Sequence, residues 1–125
     1  MKINGPAFWI IGGSQDKQES TRRWHKLSRL GFKTDMGDGC YMGKKEYCIV
    51  VWREFDGDEQ VLCDIGIEWD EDTILHVDAN RVAYIIDCAS KELTRIGTWR
   101  SIGPEAPLPT TNSWTKLNGR YYVAS

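Results

Sequence analysis

Tyr47-Cys48-Ile49-Val50-Val51-Trp52 is the stretch on which the fold turns. It is continuous, apolar, and rich in β-branched and aromatic side chains, which suit a pleated backbone. A strand whose side chains do not alternate with polar ones is covered on both faces. Glu46 to Trp52 is therefore predicted to be a central strand of a sheet.

Working outward, Ala7-Phe8-Trp9-Ile10-Ile11-Gly12 is a second short apolar run, bounded by Pro6 and Gly12-Gly13, and reads as a buried strand. A helix follows. Asp16 is its expected N-cap, with Glu19 three residues on completing a capping box. Trp24, Leu27 and Leu30 supply its apolar stripe, and Gly31 ends it. Arg22, Arg23, Lys26 and Arg29 form its exposed basic face. Phe32 to Thr34 and Cys40 to Met42 are expected as short strands around a Met36-Gly37-Asp38-Gly39 turn. Asp56-Gly57-Asp58 is a further turn. Glu59 to Ile65 fits a short helix ended by Gly66, with a strand as the alternative. Trp69 to Asp72 is a polar connector. Thr73 to Val77 and Arg81 to Asp87 form a hairpin, and Leu93 to Trp99 pairs beside it. Ser101 to Thr111 holds Pro104, Pro107 and Pro109 and is expected to be irregular. Trp114 to Leu117, Asn118-Gly119 and Arg120 to Val123 carry a type I′ hairpin signature. The expected class is α+β: a mostly antiparallel sheet with one or two helices on one face and a C-terminal β-hairpin. The 125 residues are expected to form one domain, 1–125.

Charge is laid out unevenly. Residues 1–53 hold ten Lys/Arg against five Asp/Glu, residues 54–80 hold ten Asp/Glu and no Lys or Arg, and residues 81–125 hold six Lys/Arg against three Asp/Glu. An acidic block of this density is a candidate interaction surface, with pairing to the basic helix as the competing reading. Asp56, Asp58, Glu59, Asp70, Glu71 and Asp72 are the candidate partner-binding carboxylates. Trp69 joins them, because tryptophan in an acidic connector has the composition of an interface hot spot. The expected partner is a protein or protein complex with a basic surface. Direct nucleic-acid binding is not expected at a sequence pI of about 5.7.

No catalytic motif stands out. Cys40, Cys48, Cys63 and Cys88 form no Cys-x-x-Cys pair, so no zinc ribbon or thioredoxin-type site is expected. Asp56-Gly57-Asp58 does not fit a calcium loop. His25 and His76 have no nucleophile and orienting carboxylate near them in sequence. No metal and no cofactor are expected. Gly12-Gly13-Ser14, between strand and helix, could hold a small anion such as a nucleotide, helped by Arg22, Arg23 or Lys26; no Walker lysine follows. No run of roughly 18 apolar residues is present, and Met1 to Pro6 lacks a signal-peptide core. A cytoplasmic location is expected.

The order strand, basic helix, Gly-Phe, glycine-bearing turn, Tyr-x-Gly and then Glu46 before an apolar strand resembles a family of small uncharacterised bacteriophage-encoded accessory proteins. The resemblance runs over about Phe8 to Val51, with Cys48 where that family has a serine. It implies context only: a viral accessory protein working in the host cytoplasm. The expected function is accordingly non-enzymatic, an inhibitor or modulator of a host defence or nucleic-acid-processing complex through the acidic surface. The alternative is binding, sequestration or turnover of a small anionic ligand.

Overall fold

The computed structural model describes residues 7–41, 43–52, 57–105, 107 and 113–125. Met1 to Pro6, Met42, Asp56 and much of the expected irregular segment from Ser101 to Thr111 lie wholly or partly outside that set.

Eight strands are described: β1 (Phe8–Ser14), β2 (Lys33–Tyr41), β3 (Lys44–Trp52), β4 (Thr73–Val77), β5 (Val82–Asp87), β6 (Leu93–Gly103), β7 (Trp114–Leu117) and β8 (Arg120–Ala124). Helix α1 (Lys17–Arg29) follows β1, and α2 (Asp58–Glu68) precedes β4. The strands close into an antiparallel barrel in the order β1-β3-β2-β7-β8-β6-β5-β4. Closure is made by β1, which pairs with β3 through Ile10↔Val50 and with β4 through Ile10↔Leu75. This corrects the expected α+β sheet. Period-2 patterning tells which face of a strand is buried, but not whether the last strand returns to the first.

The barrel explains why the Tyr47–Trp52 run is apolar throughout. One buried cluster contains Trp9, Ile11, Ile49, Val51, Ile74 and Ile86 together with Leu27 of α1 and Leu62, Cys63 and Ile65 of α2. The other contains Phe8, Ile10, Cys48, Val50, Val77, Ala83 and Trp99. The helices belong to the first cluster, so the second fills the barrel interior. Alternate residues of β3 therefore face a helix layer and the barrel lumen, and both sets are dry.

Several local expectations change for reasons of packing. The expected turn at Met36–Gly39 is the middle of β2, which runs unbroken beside β3. A Cβ on Gly37 would collide with the Leu117 side chain and lie 2.5 Å from the Lys116 carbonyl oxygen. Glycine is there to let β7 approach, not to reverse the chain. Likewise α2 runs past Gly66, whose missing side chain makes room for Cys88 Sγ. Strand β6 extends through Ser101 to Gly103. The C-terminal hairpin is present, with positive φ at Asn118 and Gly119 joining β7 to β8.

Helix α1 starts as expected, with the Asp16 carboxylate accepting from the Gln18 and Glu19 amides. The capping box is incomplete. Glu19 turns away to Arg22 and Arg23, and the Asp16 amide donates instead to Ser14 Oγ, 3.0 Å away. Leu30, expected on the apolar stripe, is the exposed C-cap.

Candidate active site

Alternation along three neighbouring strands builds the site. Phe8, Ile10 and Gly12 of β1, Glu46, Cys48 and Val50 of β3, and Thr73 and Leu75 of β4 fall on the lumen-facing series. Toward the end where β1 finishes and β3 and β4 begin, Ile10, Gly12, Glu46, Cys48, Thr73 and Leu75 border a cavity of about 390 Å3. Trp99 of β6 and Tyr122 of β8 line its far wall and stack on each other at 5.5 Å with rings 6° apart. Phe8 meets the edge of Trp99 at 5.6 Å and backs that wall. The lumen is thus apolar and aromatic, with a polar rim at one end.

Glu46 and Glu71 make that rim. Glu46 opens the dry part of β3. Glu71 sits in the connector after α2, where its amide donates to the Gly66 carbonyl at 2.7 Å. Both carboxylates converge over Gly12: a Cβ there would lie 2.5 Å from Glu71 Oε1 and 3.1 Å from Glu46 Oε1. Gly12 leaves the gap that the two acids occupy. Burial, and then the charge of Glu71, hold the Glu46 carboxyl above its usual range, against the pull of Lys44 and Arg23. Two carboxylates crowded at the edge of an apolar cavity have the chemistry to pair with a cation that is itself partly apolar.

Cys48 lies inside the same cavity. Burial, with the nearby Asp38 charge, pushes its thiol up to about 12, so at neutral pH it is protonated and a poor nucleophile. Among the described residues, no group of His, Cys, Asp and Glu is arranged to hold a metal ion.

The residues singled out in the sequence are dispersed. Gly12, Arg23 and Glu71 come together at the cavity rim, although they were drawn from two separate candidate sets. Gly13 is buried against the Tyr47 carbonyl and Ser20, and Ser14 bonds to Asp16 and Ser20. The helix amides expected to bind an anion are engaged by the protein's own Asp16. Arg22 pairs with Glu19 on the surface, and Lys26 Nζ pairs with Glu68 at 2.8 Å. Asp58 is buried, Glu59 is half-buried, Asp70 and Asp72 are exposed, and Asp56 lies outside the described residues. Trp69 packs against the outer core and under the Arg23 guanidinium, whose carbon lies 5.1 Å from its ring. Sequence reasoning missed Glu46, Trp99 and Tyr122. For Glu46 the signal was available: a carboxylate two and four residues before Cys48 and Val50, on the same face.

A family model for the S-adenosylmethionine lyases matches residues 13–125, which include both acids and both aromatic wall residues. The chain belongs to the S-adenosylmethionine lyase family. Among curated proteins, none matches the chain. Membership corrects three expectations. The resemblance to an uncharacterised accessory family over Phe8 to Val51 gives way to a family with a named reaction over almost the whole chain. The expected non-enzymatic binder gives way to an enzyme family. The expected host-defence inhibitor, acting through protein binding, falls with it. The physical reason is that the cavity is lined by residues far apart in sequence, brought together only by the folded barrel, so no contiguous motif announced it.

Proposed function

We propose that this protein cleaves S-adenosylmethionine inside the barrel, by a reaction that adds no water. The observation that carries this reading is the apolar cavity rimmed by Glu46 and Glu71 in a chain of this family. The ligand is small, as the alternative reading of the sequence had it, but its carboxylate is its only anionic group. It also carries an ammonium and a sulfonium.

The two cationic groups have different needs. The ammonium keeps its charge through the reaction, so Glu46 and Glu71 are best used to hold it. The sulfonium loses its charge as a carbon–sulfur bond breaks, and it is best placed in the apolar part beside Trp99 and Tyr122. A low-dielectric wall favours a transition state in which charge is being lost. The Cys48 thiol in the cavity is held protonated, and the nucleophile is assigned to the substrate. Its own carboxylate oxygen attacks Cγ, the Cγ–S bond breaks, and the electron pair goes to sulfur. The products are homoserine lactone and neutral 5′-methylthioadenosine. Carboxylate and sulfonium charges cancel, and no proton is transferred. The cavity's task is to fold the substrate so that carboxylate and Cγ meet. The cytoplasmic location expected from the sequence is carried forward as part of this proposal.

Incubation with S-adenosylmethionine in H2(18)O, followed by mass spectrometry, tests the reading. Methylthioadenosine with unlabelled lactone is the expected outcome. Homoserine carrying the label on its γ-hydroxyl would make the protein a hydrolase, and unchanged substrate would remove the activity altogether. Glu46→Gln and Glu71→Gln should each raise KM, because each removes one of the charges assigned to the ammonium.

A further inference from the structure

Arg23 lies on α1, outside the barrel, yet its two terminal nitrogens reach the rim and the connector behind it. Nε donates to Glu19 Oε2 at 2.9 Å. Nη1 donates to the Gly12 carbonyl at 3.0 Å and to Glu71 Oε1 at 3.1 Å, and Nη2 to the Trp69 carbonyl at 3.4 Å. The guanidinium also covers the Trp69 ring, and its side chain is only 14% exposed. One planar group therefore ties together the end of β1, helix α1 and the connector that carries Glu71. That connector has reason to need a tie, since Asp70, immediately before Glu71, has φ +63°.

We infer that Arg23 is the positioning residue of the rim, fixing the Glu71 carboxylate over Gly12 so that the two acids face the cavity together. This rests on the reading of Glu46 and Glu71 as the groups that hold substrate. Arg23 does not itself reach the ligand, because its nitrogens are committed to protein acceptors. It acts through Glu71. Lysine is a poor replacement, because a point charge cannot serve acceptors on three elements at once. The charged and titratable groups facing this cluster are Glu19 and Arg22 from α1, Glu71 from the connector, and Lys44, Glu46 and Cys48 from β3. Within it, Arg23 and Lys44 are the cations that oppose the rise of the Glu46 carboxyl.

The test combines carboxyl 13C NMR titration without substrate and steady-state kinetics, on wild type, Arg23→Gln, Arg23→Lys, Glu71→Gln and the double variant Arg23→Gln/Glu71→Gln. In Arg23→Gln the Glu71 carboxylate is released from Glu46, and because its charge weighs more on Glu46 than that of Arg23 does, the Glu46 midpoint should move to lower pH; kcat/KM should fall about a hundredfold, the cost of a misplacement near 1 Å. Arg23→Lys keeps the charge but not the hold on Glu71, so it should show the lowered midpoint and a raised KM as well. In the Glu71→Gln background, Arg23→Gln should cost nothing further, because its route to the substrate is already gone. An unmoved or raised midpoint, or equal losses in both backgrounds, would overturn the inference. Should Arg23→Gln fail to fold, Arg23→Lys carries the same decision: wild-type KM in that variant also overturns it. A lowered midpoint with no turnover by wild type strikes the lyase reading alone. Turnover with an unmoved midpoint strikes this inference alone.

Discussion

Glu46 is held in a place that opposes its charge. Burial and the neighbouring Glu71 raise its pKa, so the folded state gives up the proton less readily than the unfolded chain does. A carboxyl raised in this way favours folding at acid pH, and that contribution is lost as pH rises through the folded value. Glu46→Gln should therefore melt slightly higher than wild type at pH 7, by roughly 1–3 °C. The difference should close below the ordinary carboxyl range, near pH 4. Thermal melts of both proteins at the two pH values check this. A gain in stability with a loss of activity is the usual sign of a functional residue kept against local preference. Gly12 gives the complementary case. In Gly12→Ala the new methyl would displace the ends of two flexible side chains, not backbone. The variant should fold with a melting temperature within about 4 °C of wild type, corresponding to roughly 1 kcal/mol. It should nevertheless lose affinity for S-adenosylmethionine by at least tenfold, measured calorimetrically. Wild-type affinity would show that the two acids need not meet there.

Strand β2 shows how one element can be misread and still be explained. Gly37 and Gly39 both looked like turn residues, yet neither has a positive φ and both lie mid-strand. They are not equivalent. A Cβ at Gly37 would press on the Lys116 carbonyl oxygen, whereas at Gly39 its nearest contacts are at 3.6 Å. Gly37→Ala must push β7 away and should destabilise by about 1–3 kcal/mol, as overpacking does. Gly39→Ala should be close to neutral. Parallel urea melts of the two variants decide, and equal stability would mean that the β2–β7 seam is looser than its contacts imply. Strand β3 supplies the harsher case. Ile49 is fully buried between barrel and helices. Ile49→Asp places an unpaired charge there and should cost several kcal/mol, read as loss of the cooperative unfolding transition at ambient temperature.

At the scale of the molecule, closure is what turns a sheet into a container. Because β1 pairs with β3 on one side and β4 on the other, the lumen is walled all round. Acids from β3 and the α2–β4 connector then face aromatics from β6 and β8. Pairings so distant in sequence must be formed against loop entropy, so folding is expected on the millisecond-to-second scale of all-β domains. Stopped-flow tryptophan fluorescence measures it, and sub-millisecond refolding would contradict a barrel of this connectivity. Among the described residues no helix is long and apolar enough to cross a membrane.

The order and type of most elements followed from the sequence, because they depend on neighbours a few positions away. The Tyr47–Trp52 strand, the Asp16-capped helix and the Asn118-Gly119 hairpin were legible for that reason. So was the burial of both faces of β3, which a continuous apolar run demands. Closure was not legible, since the bonds between β1 and β4 join residues almost seventy positions apart, as Phe8 and Val77 are. The site depended on closure. Gly12, Arg23, Glu46, Glu71, Trp99 and Tyr122 come from six separate segments. Glycine had the same ambiguity throughout: Gly37 and Gly66 serve close approach of a distant chain, and only the packed structure shows what approaches. Local propensity acts over a few residues and can be read along the chain, whereas a binding cavity is a property of surfaces that meet only when the chain is folded.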